Sequence, residues 1–250
     1  MCTILLAWRC LDDADIVIAA NRDELVERQS APPMVLHESP RIAGGKDLVA
    51  GGTWLAVRQD GAVCAVTNRR LPDVDEVVRD PNRRSRGEIP LQALTSADES
   101  GLPAFLEALG PGRYNPVNVL VVSPRFAIVA SVNDTGPPRV TQLQPGLHVL
   151  TVGDVDDEAR PKDAALRDTA GRALLTSTSS RSLETRWRSV LSQHETPTGD
   201  PLDAACIHGD VYGTVSSSTL IVAGSEIAHR HAPARPCVTP FALVTALRAA

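Results

Sequence analysis

Residues 1–24 read MCTILLAWRCLDDADIVIAANRDE, two apolar runs at 3–9 and 15–20 joined by the turn-like Leu11-Asp12-Asp13-Ala14. So short a connection forces an antiparallel hairpin, because parallel neighbours need a long crossover. A turn centred on Asp12-Asp13 sets Thr3 opposite Arg22 and Cys2 opposite Asp23. Directly opposed residues bring their Cβ atoms to roughly 4.5–5.5 Å. The hairpin therefore gathers a thiol, a guanidinium and a carboxylate at one end of its strands. A slip of a residue or two changes the partner without dispersing the group.

The same grammar recurs along the chain. Residues 53–58 and 62–67 flank Asp60-Gly61, and 118–122 and 126–132 flank Pro124-Arg125. Residues 139–143 and 147–152 flank Pro145-Gly146, and 216–222 and 227–231 flank Ala223-Gly224-Ser225. Each reads as a hairpin. Helical signals fall in separate blocks. Residues 87–109 predict two short helices, with Pro90 in a first turn and a break at Gly101-Leu102-Pro103. Pro161 opens another helix, and Leu183, Trp187, Val190 and Leu191 share one face of a fourth. Hairpins segregated from helices predict an α+β fold with mainly antiparallel sheets, not a Rossmann-type arrangement. Residues 1–250 read as a single domain, with the Pro/Arg-rich loop 71–86 as the best candidate boundary.

Composition narrows the function classes. Hydrophobic residues at 43% and charged residues at 22% are globular values that exclude disorder. A net charge of -5 argues against nucleic-acid or membrane-surface binding. The apolar residues 4–8 are too few for a signal peptide and follow no basic segment. Five unclustered cysteines, an odd number, fit reduced thiols better than a disulfide framework. The expectation is a cytoplasmic protein without membrane insertion.

The opening hairpin has a chemical reading. A small residue at position 2 permits removal of Met1, which leaves Cys2 carrying both a thiol and an α-amine. With a pKa of about 7.7–8.0, that amine can serve as base to its own side chain. Arg22 would favour the thiolate, and Asp23 could orient the ammonium group. Residue types alone leave a second reading open, an incidental cysteine beside a solvated, charged strand end. Elsewhere Cys206-x-His208 and His229-x-His231 each project from one face of a strand and, with Cys237, could ligate zinc or haem. Neither pair has a standard finger or zincin spacing, and no metal is assigned.

Taken together, Met1-Cys2-Thr3, Asn21-Arg22-Asp23-Glu24, Gly51-Gly52-Thr53-Trp54-Leu55, Thr67-Asn68-Arg69, Ser85-Arg86-Gly87, Tyr114-Asn115 and Tyr212-Gly213-Thr214 occur in the order seen in one family. The chain resembles the NRDE family, which includes transport and Golgi organisation protein 2 and is similar to N-terminal nucleophile (Ntn) hydrolases. The resemblance implies a four-layer αββα sandwich and amide hydrolysis by Cys2, with Asp23 orienting the amine and Arg22 beside it. It implies that Asn68 helps form an oxyanion hole, and that Asn21, Gly52, Thr53 and Trp54 meet the substrate, a small-molecule amide or acylated ligand. A turn at Asp60-Gly61 would set Asn68 opposite Thr53 and beside Gly51-Gly52, where small residues leave room for a substrate backbone. No cofactor is implied, although haem is a candidate ligand; a non-catalytic carrier of haem or an acylated ligand is the alternative function. Four positions depart from the related patterns. Ala20 stands where acylases carry an arginine, Val215 where many relatives carry another, and Thr151-Val152 where they carry Ser-Asn.

Overall fold

Cys2–Leu11 (β1) and Ala14–Leu25 (β2) form the expected hairpin, with Leu11 opposite Ala14 at the turn. Beyond the turn the register departs from the simple count. Trp8 pairs with Ile16, so Arg9 and Cys10 together oppose Asp15 in a β-bulge, with Arg9 at a φ of 53°. The extra residue moves every later pair by one, and Cys2 lies opposite Arg22 rather than Asp23. The computed structural model describes residues 2–70, 80–96 and 100–247; Met1 and residues 71–79 of the expected boundary loop lie outside the described residues.

The chain divides into two compact units. The first comprises residues 1–28, 145–151 and 155–245. Its six-stranded antiparallel sheet has β1 and β2 near the centre. Gly146–Leu150 (β10) lies outside β1, and Tyr212–Ala223 (β11), Glu226–Ala232 (β12) and Ala242–Val244 (β13) follow β2 in that order. Strands alternate their side chains between faces. The odd-numbered Leu5, Ala7, Val17, Ala19 and Ile221 pack against two helices, Pro161–Leu175 (α3) and Ser180–Leu191 (α4). From α4 the buried face is Leu183, Trp187, Val190 and Leu191, as the spacing predicts. The Trp187 indole N–H donates to Ala170 O at 3.1 Å, tying α4 to α3. Asp13, in the hairpin turn, accepts from the backbone N–H of Ser180 at 3.0 Å and from its hydroxyl at 2.9 Å. A carboxylate at a helix N-terminus is favoured by the helix dipole, so the hairpin turn fixes the start of α4.

The second unit comprises residues 29–144, 152–154 and 246–250. Its seven antiparallel strands run in chain order: Ser30–Glu38 (β3), Arg41–Asp47 (β4), Leu55–Arg58 (β5), Val63–Asn68 (β6), Val117–Val122 (β7), Ala127–Val132 (β8) and Arg139–Gln142 (β9). The helices Ile89–Ser96 (α1) and Leu102–Glu107 (α2) contribute Ile89, Ala93, Leu94, Leu102 and Leu106 to the core that covers this sheet. Arg69 binds this unit together. It donates to Asn133 Oδ1 at 2.7 Å, to Asn118 Oδ1 at 3.1 Å and to Gly153 O at 3.2 Å, and pairs with Asp154 at 2.7 Å.

The expected α+β, antiparallel architecture is therefore present, each unit supplying a sheet and a helical layer. Four of the five expected hairpins form. The fourth does not: β9 lies beside β8 in one sheet, and β10 beside β1 in the other. The turn at Pro145-Gly146 is a passage between sheets. Three strands went unread. β3 carries Pro32-Pro33, which an edge strand tolerates where its pairing is irregular, and its register shifts between Ala31 and Met34.

Replacing Trp187 with alanine removes the largest fully buried side chain of the first unit and the indole hydrogen bond to Ala170 O. The expected cost is about 3–5 kcal/mol, read as a lower urea midpoint of unfolding, with Trp187→Phe losing less.

Candidate functional site

β2 is paired on both sides, by β1 and by β11, so the directions of its side chains are fixed by backbone hydrogen bonds. Asn21, Arg22 and Asp23 consequently alternate in direction along the strand. Asn21 is fully buried on the helical face. Its amide donates to Leu191 O at 2.9 Å, at the end of α4, and to Ala205 O at 2.8 Å. Both amide protons thus hold the end of α4 and the segment that follows it, while its Oδ1 is buried with no hydrogen-bond partner among the described residues.

Arg22 lies on the opposite face, in one row with Cys2 on β1 and Ser216 on β11. The residue is 6% exposed, its guanidinium reaches Glu24 only at 3.9 Å, and its Nη1 is buried with no hydrogen-bond partner among the described residues. A buried, underused guanidinium nitrogen is costly unless an acceptor arrives. The next rows on this face hold Ser218 opposite His231, then Leu220 opposite His229. Ser218 Oγ lies 3.0 Å from His231 Nδ1 and 3.4 Å from His229 Nε2.

Asp23 lies across from Thr214, whose hydroxyl donates to its Oδ1 at 2.6 Å, and the Tyr212 hydroxyl donates to its carbonyl at 2.9 Å. Burial pushes the Asp23 carboxyl above its ordinary range, opposed by the positive charge of Lys162. Tyr212 and Thr214 belong to the Tyr-Gly-Thr segment that the sequence marks without giving it a role. Lys162 is one of only two lysines in the chain. β11 reaches both neighbours through a bulge: Thr214 pairs with Asp23 and Ser216 with Arg22, leaving the half-buried Val215 as the extra residue.

Cys2 completes the group. The backbone N–H of Asp23 donates to its thiol. Burial pushes the thiol's pKa up, the Asp23 carboxylate adds to that, and the Arg22 guanidinium opposes it. The resting sulfur is therefore a thiol, and its use as a nucleophile requires a base. Thr151, a departure from the related pattern, donates to Asp163 at 2.6 Å, and burial pushes the Asp163 carboxyl up to about 6.

The remaining expected residues lie in the second unit. Asn68 ends β6, half-buried and paired with Val117. Leu55 pairs with Ala65, and β5 begins only at Leu55, so Thr53 and Asn68 are not opposed in a ladder. The small residue at Gly52 serves the fold: at a φ of 75°, an added Cβ would come 2.3 Å from Gly87 O. Thr53 is buried, its N–H donating to Gly87 O and its hydroxyl to Leu55 O, and Trp54 packs on the core of this unit.

A family model described as Transport and Golgi organisation 2 matches residues 1–230. The chain belongs to this family. It is 30% identical over 143 residues to the Transport and Golgi organization 2 homolog of Mus musculus, a match covering 54% of this chain and 50% of that protein. The Homo sapiens homolog is 29% identical over the same length. The chain thus spans about half the length of the relatives it matches. Among solved structures it is similar to penicillin V acylase from Agrobacterium tumefaciens, with a TM-score of 0.56 and 9% identity over 92% of this chain and 82% of that one. It is also similar to the C2A mutant of conjugated bile acid hydrolase from Clostridium perfringens, with a TM-score of 0.51 and 11% identity over 98% and 96%. These likenesses establish the Ntn-hydrolase-like fold for this member of the Transport and Golgi organisation 2 family. Among the described residues no helix is long and apolar enough to cross a membrane.

Burial pushes the His229 imidazole down to about 3, and His231 acts in the same direction. An unfolded histidine takes up its proton near pH 6.5, so stability held above that pH is lost as pH falls towards 3, by up to about 1.4 kcal/mol per unit. Between pH 6.5 and 5 the native chain should lose about 2 kcal/mol relative to His229→Gln. Urea unfolding of both proteins at the two pH values measures the difference.

Proposed function

We propose that this chain is an N-terminal cysteine amidohydrolase acting on an acyl amide whose acyl portion presents an oxygen to Arg22. The observation that carries the reading is the row Cys2–Arg22–Ser216, with a thiol beside a buried guanidinium that has an unused nitrogen. The fold supports it. Solved proteins of this fold are named as an acylase, a conjugated bile acid hydrolase and an N-acylethanolamine-hydrolyzing acid amidase. One of them is a C2A mutant, in which alanine replaces a cysteine at that protein's own second position.

Because the Cys2 thiol is held protonated by burial, the reading requires removal of Met1 to expose the α-amine of Cys2. That amine takes the thiol proton as the sulfur attacks the substrate carbonyl. A tetrahedral intermediate forms, the C–N bond breaks, and the proton passes to the departing amine. Water then cleaves the thioester, releasing the acid and restoring the thiol. Asp23, its carboxylate oriented by Thr214, holds the ammonium form of the amine near the sulfur. Arg22 binds the substrate's oxygen by charge-assisted hydrogen bonds.

A second reading, a carrier of acylated ligands or haem on the same fold, is favoured by Val215. Where the family resemblance expects an arginine, the β11 bulge carries an apolar side chain next to the Asp23 pair.

The test is a screen of N-acyl amides with protein whose Met1 has been removed, as shown by intact mass. Activity should fall by at least about 1000-fold in Cys2→Ala, since the nucleophile is lost, and the native protein should trap an acyl adduct on Cys2. Ligand affinity that survives in Cys2→Ala, with no turnover by either protein, would establish the carrier.

A further inference from the structure

We infer that His194, Cys206, His208 and Cys237 form a tetrahedral zinc site in the first unit. One donor atom from each residue lies within 4.8 Å of the other three. The two sulfurs are 3.7 Å apart, and His208 Nε2 lies 3.2 Å from Cys237 Sγ. The rings of His194 and His208 have centroids 4.4 Å apart at an interplanar angle of 64°. Zinc–sulfur bonds of about 2.3 Å and zinc–nitrogen bonds of about 2.0–2.1 Å imply tetrahedral edges of roughly 3.8 Å between sulfurs and 3.6 Å between sulfur and nitrogen. The sulfur–sulfur separation already has that length. It is far from the ~2.05 Å of a disulfide. The sulfur–nitrogen contact needs to open by only a few tenths of an ångström.

The donor set also selects the ion. Two thiolates and two imidazoles favour zinc over magnesium or calcium, which take oxygen ligands. The charges of two thiolates neutralise one divalent cation. Four protein ligands leave no open position, so the site is structural. Cys206 is buried, whereas His194 and His208 are exposed and leave a route for the ion.

The sequence reading placed Cys206, His208 and Cys237 with His229 and His231. The structure divides that group, for both of the latter face Ser218 on the sheet. The fourth member is His194, beyond the end of α4, where no local spacing links it to Cys206. The surrounding backbone is braced. Cys206 N–H donates to Gln193 O at 2.9 Å, Ile207 N–H to Thr214 Oγ1 at 2.9 Å, and Arg235 to Gly209 O at 2.9 Å. Hence the ion would join three segments, the one leaving α4, the one entering β11 and the one between β12 and β13. The middle segment is also held by Asn21 and Thr214, so the metal stabilises the support of the Cys2 row whether or not that row is catalytic.

The test is metal binding by the reduced full-length protein after chelation. The metal-free protein should bind one equivalent of zinc and release its two cysteine thiol protons as two Zn–S bonds form. With cobalt(II) it should show tetrahedral d–d bands and a thiolate-to-cobalt charge-transfer band, both abolished by added zinc. Cys237→Ser and the exposed His194→Ala should each weaken zinc binding by more than about 10-fold, with circular dichroism showing that the variants are folded. Failure of the folded, reduced native chain to bind stoichiometric zinc at micromolar concentrations overturns the inference. So does a cobalt spectrum without thiolate charge transfer, or unchanged affinity in both variants.

Discussion

β2 is hydrogen-bonded on both sides along most of its length, and the first unit depends on that constraint. A strand so held cannot rotate to suit any one of its side chains. Asn21 is obliged to face the helices, where it supports the end of α4 and the segment at Ala205. Arg22 must face the other way, beside Cys2. Asp23 meets the hydroxyl of Thr214. Three consecutive polar residues are buried at once. Unpaired burial of such groups costs several kcal/mol, so the partners that Asn21 finds at the end of α4 and at Ala205, and that Asp23 finds on β11, are conditions for the strand's existence. Arg22 is the least satisfied of the three: it reaches Glu24 only at 3.9 Å, its Nη1 has no hydrogen-bond partner among the described residues, and a ligand oxygen would complete it.

Much of this was legible in the chain. The alternation of apolar residues and the turn residues located β1, β2 and β5 to β12, and the four-residue face on α4 emerged from its spacing. The grouping of Cys2 with Asn21, Arg22 and Asp23 needed only a short turn. Its register did not survive in detail, because a bulge at Arg9-Cys10 adds a residue that no propensity announces. The fourth hairpin failed for a related reason. Pro145-Gly146 is a good turn by composition, but whether a turn returns the chain to the same sheet is decided by distant packing. β3 was hidden by its prolines, which mean little on an edge.

The site was harder to read because its decisive partners are remote in sequence. Thr214 lies far along the chain from Asp23, and Lys162, which opposes the effect of burial on Asp23, belongs to another element. Asn21 is polar and sits in a distinctive signature, features that suggest substrate contact; burial shows a packing role. Gly52 offers the same lesson. Its small size serves a close backbone passage by Gly87 and needs no substrate to explain it.

The bulge at Val215 separates two phases of one strand. Thr214 and Ser216 would share a face in a regular strand, yet here one meets Asp23 and the other stands in the row of Arg22 and Cys2. The extra residue is what lets Thr214 meet Asp23 while Ser216 meets Arg22 on the opposite face. For the register of the strand, side-chain identity at 215 is thus secondary and chain length is the quantity under constraint. Removing the position would carry the alternation of 216–223 out of step with Thr214, taking Ser216 out of the row of Arg22 and Cys2 and turning Ser218 away from His231.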